Sequence, residues 1–468
     1  MSALFSLPGI DISTEPVDLI CYSYDASIAP PSLPYAVAWP RTADDVSRIL
    51  KHASEHDLAV IPRGAGTGMA GASIPTVSGA LVLSFERMRK ILDLDPKNLQ
   101  VVVEPGVVNA ALQKELEYHG YFYPPDPASM AVSTIGGNVA TNAGGPRAVK
   151  YGVTRNYVMG IEAVLAGGNL LQVGGKVQKR VVGYSLKDLL VGSEGTLAVT
   201  TKIRLKVLPL PDDVMTLLVS FQDLEAAGSA VAKMIAAKVI PRAVEFIDRS
   251  ALEVIEAHKP TGLPKNCEAV LLIELDGYPA TIRKEAERVA AVCSTLGGEI
   301  TVAEDRFARE RLWEARRAIS PALRNLNRRK INEDIVVPLD RLPHALRELR
   351  RMSEQSGIPI VSFGHAGDGN IHVNIMVEKE SPDEYRRGLE LVREVFAMTI
   401  AAGGAISGEH GIGILKEPYI EMELKEQELD LMRSIKRTFD PKGTLNPGKV
   451  FTSVPRADVW GSQIPLFS

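Results

Sequence analysis

The chain has 468 residues, 45% hydrophobic and 24% charged, a length and balance that exclude a disordered chain and call for about two or three domains. A net charge of -4 excludes a nucleic-acid partner held by a chain-wide basic field. Cys21, Cys267 and Cys293 stand alone with no CxxC pair, which excludes an iron–sulfur cluster or cysteine zinc site carried by the chain itself and reads as a reducing compartment. Met1 to Ile10 has no positive n-region, and no apolar stretch reaches bilayer length. The expected location is cytoplasmic, with peripheral attachment to a membrane through a partner as the alternative.

Residues 30–40 are proline-rich, after which Thr42 caps a helix with Asp45 three residues on; Val46, Ile49, Leu50 and Ala53 supply its buried stripe. Leu58 to Pro62 reads as a strand running into Arg63-Gly-Ala-Gly-Thr-Gly-Met-Ala-Gly71, and short strands follow at Ala80 to Ser84 and Gln100 to Glu104. Gly66-Thr-Gly-Met-Ala-Gly71 is a literal GxGxxG with Glu86 about 20 residues further on, the dinucleotide fingerprint on paper. That fingerprint also needs a helix. Ala72-Ser-Ile-Pro-Thr-Val-Ser-Gly79 instead offers proline, glycine and β-branched residues, so the better reading is a glycine loop whose backbone N–H groups approach phosphate without a helix dipole. Thr134-Ile-Gly-Gly-Asn-Val-Ala-Thr-Asn-Ala-Gly-Gly145 is a second such loop, and Val191-Gly-Ser-Glu-Gly-Thr196 is a glycine turn entering a strand. Each could equally be a bend in a β-rich domain.

From about residue 213 the pattern changes. A strand (Met215 to Phe221), a helix (Leu224 to Ala237) and a strand (Arg242 to Ile247) are followed by the same order at Glu268 to Leu275, Ala280 to Leu296 and Glu299 to Ala303. Two such units predict an antiparallel sheet with helices on one face, in the ferredoxin-like style. A third set runs from Asp334 through a helix, Pro343 to Gln355, to a strand, Pro359 to Phe363. The basic run Arg324 to Lys330 reads equally well as a solvated helix face or a small-anion site.

That third set leads into Gly364-His-Ala-Gly-Asp-Gly-Asn-Ile-His372, and Ser407-Gly-Glu-His-Gly411 follows. Imidazole and carboxylate are the ligands of a borderline divalent metal, and a further group beside them can take a proton. The plain alternative for either stretch alone is a tight hairpin with surface histidines. Gly367-Asp-Gly369 is turn chemistry, which sends His365 and His372 out from the ends of two neighbouring strands to converge. Glu409 and His410 point to opposite sides of extended chain, so that one can ligate while the other faces a substrate.

Taken in order, Pro62 to Gly68, Gly136 to Gly145, Gly192-Ser-Glu-Gly-Thr196, Gly364 to His372, Gly408 to Gly413 and Asp440-Pro-Lys-Gly-Thr-Leu-Asn-Pro-Gly-Lys449 resemble the FAD-linked oxidases of the vanillyl-alcohol oxidase type. Specifically, they resemble the flavin subunit of glycolate oxidase and its D-lactate and D-2-hydroxyglutarate dehydrogenase relatives. The resemblance spans nearly the whole chain. It implies an α+β protein in which residues 1–212 form a two-lobed FAD-binding domain of the PCMH type. Residues 213–420 would then form a ferredoxin-like antiparallel-sheet substrate domain with a metal site, covering the flavin, and residues 421–468 would return to the FAD domain.

The cofactor residues implied are Pro62, Arg63, Gly64, Ala65, Gly66, Thr67 and Gly68 of the first loop; Pro127 and Thr134; Gly136, Gly137, Asn138, Thr141, Asn142, Gly144 and Gly145 of the second; and Glu194, Gly195 and Asn446. Thr67 and Met69 stand where some relatives attach FAD through histidine, so noncovalent FAD is expected. His365, His372 and Glu409 match the family's ligands for Zn, or alternatively Mn or Fe. The implied reaction is oxidation of a D-2-hydroxy acid such as D-lactate or glycolate to the 2-oxo acid, with hydride passing to flavin N5 and His410 as base. Arg316 would hold the substrate carboxylate, with Arg317 as its substitute; Ser320, Lys330 and Asn374 are further substrate-binding candidates.

The alternatives are an oxidase or sugar-derivative dehydrogenase of the same superfamily, a D-2-hydroxyglutarate-specific dehydrogenase, and a noncatalytic electron-relay subunit. An external acceptor is required, whether an iron–sulfur subunit, an electron-transfer flavoprotein or a quinone, and a homodimer is the default expectation.

Overall fold

The computed structural model describes residues 7–259 and 261–451. Among these, the chain forms two compact units, one of 7–144, 153–210 and 409–451, the other of 145–152 and 211–408. The division differs from the sequence-based boundaries in three places, the first being a start of the long second-unit segment at 211 rather than 213. A short excursion at 145–152 belongs to the second unit, and the chain re-enters the first at 409 rather than 421.

The first unit contains two lobes, each with its own sheet. One sheet orders Asp11–Ser13, Ala36–Trp39, Leu81–Ser84 and Val60–Arg63, the last three mutually parallel. Parallel strands need crossovers, and helix Ala43–Glu55 makes the one from Ala36–Trp39 to Val60–Arg63, which lie on either side of Leu81–Ser84. Thr42 Oγ1 accepts from Asp45 N at 3.1 Å while the Asp45 carboxylate accepts from Thr42 N, the expected capping box. Val46, Ile49, Leu50 and Ala53 are buried against Ala36, Ala38, Leu81 and Leu83, as their spacing predicts. No helix follows the glycine loop through residue 80, which removes the dinucleotide reading.

The second lobe is an antiparallel sheet in the order Ile91–Asp95, Gln100–Val103, Val199–Lys206, Val158–Val164 and Leu170–Gly174. The second glycine-rich segment, expected as a loop, is partly helix. Ile135–Thr141 is helical despite Gly136 and Gly137, because Thr134 Oγ1 caps Gly137 N and the buried Ile135 and Val139 anchor one side. Near its end the chain comes back to the first sheet, where Leu445 bridges Val60 in parallel and is buried in the same core. The buried Asp440 carboxylate holds that return, accepting from Thr444 N at 3.0 Å, Leu445 N at 2.7 Å and the Lys436 ammonium.

The second unit is built on one antiparallel seven-stranded sheet. Its order is Glu299–Val302, Asp213–Phe221, Ala269–Gly277, Ala243–Asp248, Ile360–His365, Asn370–Glu378, Arg328–Val336. Helices Leu224–Ala236, Pro279–Ser294, Leu342–Ser356 and Pro382–Ala401 cover one face. The other face was expected to lack helices, and it carries two, Arg249–His258 and Arg306–Arg324. Their Leu252, Ile255, Ala315, Ile319 and Leu323 pack on Ile247, Leu272, Val361 and Phe363. The excursion at 145–152 is tied into this unit by a buried acid: Asp276 accepts from Lys150 Nζ at 2.6 Å and Tyr151 Oη at 2.8 Å. Among the described residues no helix is long and apolar enough to cross a membrane.

Candidate active site

In the second unit the two histidines of the first glycine-rich stretch come from one hairpin. Ile360–His365 and Asn370–Glu378 pair with Phe363 opposite His372, joined by a turn that ends at Gly369 with φ +82°. Alternation then puts Phe363, His365, His372 and Asn374 on one face. The imidazoles of His365 and His372 stand 5.1 Å apart, nearly perpendicular, and both are buried. Surface histidines in a plain hairpin are therefore ruled out.

Register brings a further residue opposite His365 on the next strand: Glu245. Its side chain is wholly buried, its Oε1 accepts from His365 Nδ1 at 2.6 Å and its Oε2 from Arg316 Nε at 2.5 Å. Burial drives this carboxyl toward protonation, but the neighbouring Arg316 and His365 outweigh it and hold it below the usual carboxylate value. Arg316 also lies 4.8 Å over the Phe363 ring. Arg317, one residue on, is exposed and pairs with Glu310, so only Arg316 of the two faces the sheet.

Ser320 follows Arg316 by one helical turn, and Lys330, on the edge strand Arg328–Val336, donates to Ser320 Oγ at 3.1 Å. Arg316 and Ser320 therefore share one side of their helix, and Lys330 reaches Ser320 from the edge strand. Burial, helped by nearby Arg324, pushes the Lys330 ammonium down to about 8. The basic run that includes it is no helix face, since the helix ends at Arg324 and Lys330 is a buried strand residue. Asn374 is spent within the sheet, donating to Val361 O at 3.0 Å and accepting from Asn332 Nδ2 at 2.8 Å.

Asp334 lies opposite His372 on the edge strand and accepts from Gly408 N at 2.8 Å. The residue before Glu409 is therefore tied to the strand that pairs with the histidine hairpin.

In the first unit the glycine-rich segments converge. A side chain at Gly64 would collide with Thr134 Oγ1, so the first loop comes this close to the capping side chain of the helix only because residue 64 is glycine. Gly195 lies against Pro62, and Gly144 leaves room for Glu409, whose Oε2 would be 3.1 Å from a Cβ there. Asn446 Nδ2 bridges Ala72 O at 2.9 Å and Glu194 O at 2.7 Å. Several expected cofactor residues already hold the chain: Thr134 caps a helix, Asn142 accepts from Arg155 N at 2.9 Å, and the buried Glu194 accepts from Ile412 N at 2.7 Å and Gly413 N at 2.9 Å. Glu194 therefore clamps the turn that follows His410; burial raises its pKa, and those two amides oppose the rise. Asn138 Nδ2 is buried with no hydrogen-bond partner among the described residues, the kind of donor a bound phosphate or ring would satisfy. Pro127 is buried nearby in sequence, and its carbonyl accepts from Met130 N at 2.8 Å.

Two lobes with converging glycine-rich segments and a separate antiparallel-sheet unit define a two-domain α+β flavoprotein fold. The structure of p-cresol methylhydroxylase with substrate bound superposes at a TM-score of 0.79, at 18% identity, over 94% of this chain and 93% of that one, a likeness of fold. Residues 34–174 match the family described as "FAD binding domain" and residues 210–450 match "FAD linked oxidases, C-terminal domain". Glycolate oxidase subunit GlcD of Bacillus subtilis is 44% identical over 94% of each chain, and D-lactate dehydrogenase of Archaeoglobus fulgidus is 39% identical over 89% of this chain and 91% of its own. The chain belongs to the FAD-linked oxidoreductases of this family.

Sequence reasoning missed Glu245. Its one signal was a carboxylate inside the apolar strand Ala243-Val-Glu-Phe-Ile247, a residue that must be paired if buried.

Proposed function

We propose that the chain oxidises a D-2-hydroxy acid to the 2-oxo acid with noncovalently bound FAD and a divalent metal, Zn or alternatively Mn or Fe. The observation that carries this reading is the buried face on which His365, His372, Glu245 and Arg316 meet beside Ser320 and Lys330. A 2-hydroxy acid needs its carboxylate held and its hydroxyl deprotonated. Glycolate and D-lactate, which appear in the names of the relatives above, are both 2-hydroxy acids.

In this reading the Arg316, Ser320 and Lys330 donors take the carboxylate, a task a guanidinium fork and an ammonium perform well. His365 and His372 offer imidazole nitrogens, and Glu409 follows directly on Gly408, whose amide Asp334 fixes. That donor set of two imidazoles and a carboxylate fits a borderline divalent ion. When bound, the metal would acidify the substrate hydroxyl and FAD would accept the electron pair with hydrogen. His410 takes the hydroxyl proton, and Glu194 steadies the turn that carries it. Reduced flavin then needs an external acceptor, an iron–sulfur subunit, an electron-transfer flavoprotein or a quinone.

A panel of D- and L-2-hydroxy acids with an artificial acceptor tests the reading. Turnover of D-lactate, glycolate or D-2-hydroxyglutarate is expected, together with a loss of ~10²–10⁴ in kcat for His410→Ala in protein that keeps its flavin. Activity confined to phenols or sugar derivatives would defeat it, and near-unchanged turnover in that variant would remove His410 from the role.

A further inference from the structure

Glu245 touches both halves of the proposed site, His365 on one side and Arg316 on the other, and the sheet register explains how. It stands directly opposite His365, so its carboxylate rises from the same face and meets the imidazole side-on, while helix Arg306–Arg324 lowers Arg316 onto its other oxygen. The strand around it is apolar and its side chain has no exposed surface, so this carboxylate has not been placed to meet water. A buried acid retained at such a point has both oxygens committed, one to each partner.

We propose that Glu245 is the positioning residue that sets the metal-binding tautomer of His365 and at the same time aims Arg316. This deepens the function proposed above and rests on its metal and its carboxylate anchor. A carboxylate only accepts hydrogen bonds, so Nδ1 of His365 carries the proton and ligation is left to Nε2. Histidine ligands commonly have their ring orientation and basicity set in this way by an acid behind them. The same carboxylate holds Nε of Arg316, and Phe363 supports the guanidinium from one side, which leaves the two terminal nitrogens to form the fork for substrate. Metal affinity and anchoring of the substrate carboxylate therefore depend on a single side chain that contacts neither metal nor substrate.

Glu245→Gln separates the two tasks. A guanidinium can only donate, whereas a neutral imidazole can donate or accept at Nδ1. The glutamine carbonyl therefore turns to Arg316, and its amide NH2 donates to His365 Nδ1, moving the ring proton to Nε2 where a metal would bind. The expected result, from calorimetric titration of Zn²⁺ and Mn²⁺ onto flavin-loaded, metal-stripped protein, is affinity weaker by roughly 10- to 100-fold than in the unaltered chain. Flavin content should be unchanged, and excess metal should restore kcat while KM for the acid stays near its original value.

Equal metal affinity in the variant and the unaltered chain overturns the role of Glu245 and leaves the metal site standing. No stoichiometric metal binding by the unaltered chain overturns the metal reading itself and this inference with it. If Glu245→Gln does not fold, nitrogen-15 spectra of the histidine-labelled unaltered protein decide instead. A proton on Nδ1 of His365 supports the proposal, and an unprotonated Nδ1 overturns it.

Discussion

Lys330 shows how the site can be read through its charge. Burial holds its folded-state pKa near 8, below the ~10.4 of an exposed lysine, so the folded chain binds this proton less tightly than the unfolded one. Its burial thus costs stability below pH 8, and the cost is relieved as pH rises from about 8 to 10.4. Substrate anchoring runs the other way, because a carboxylate needs the charged ammonium. The predicted kcat/KM therefore falls as pH rises through about 8. Lys330→Arg should move that limb to higher pH, and Lys330→Met should lower kcat/KM roughly 10- to 100-fold at neutral pH. A limb unmoved in the arginine variant would take Lys330 out of the anchor. At this scale the histidines were legible because Gly367 and Gly369 announce a hairpin between them. Glu245 was not, since 120 residues separate it from His365 and only the sheet register joins them.

The hairpin that carries the histidines depends on its turn. Gly369 has φ +82°, and a side chain there would drive into the carbonyl of Val337, so left-handed strain and a backbone collision act together. Gly369→Ala should cost about 2–4 kcal/mol in a denaturant titration. An unchanged midpoint would show that the turn is less constrained than its geometry implies. The elements that sequence reading recovered have clean punctuation, such as Thr42 and Asp45 at the head of Ala43–Glu55. The ones it missed do not. Arg249–His258 begins directly at the end of a strand, with Asp248 both closing the strand and capping the helix through Ala251 N, and no glycine or proline marks the change. Arg306–Arg324 is dense in charge, and its stripe at helical spacing is narrow, the half-buried Leu312 with the buried Ala315, Ile319 and Leu323.

At the scale of the molecule, order along the chain and membership of a unit part company. The glycine-rich helix Ile135–Thr141 belongs to the first unit, the next short segment to the second, and Gly408 and Glu409 fall on either side of the last crossing. Six motifs in order were enough to indicate a flavoprotein of this family, yet composition does not tell the crossings at 145–152 and 409 from ordinary turns, although Gly144, Gly145, Pro146 and Gly152 bound the first and Gly408 precedes the second. They are set by individual contacts, Lys150 and Tyr151 with Asp276 in one unit and Glu194 with the amides of Ile412 and Gly413 in the other.

In the proposed reaction this chain itself takes electrons from a 2-hydroxy acid into its flavin. Anaerobic mixing of the metal-replete, FAD-loaded chain with D-lactate or glycolate, followed by the visible absorbance of the flavin, tests it most directly. Stoichiometric bleaching by the chain alone is expected. A flavin that stays oxidised with every 2-hydroxy acid until a partner protein is added would contradict it and would make the chain an electron relay.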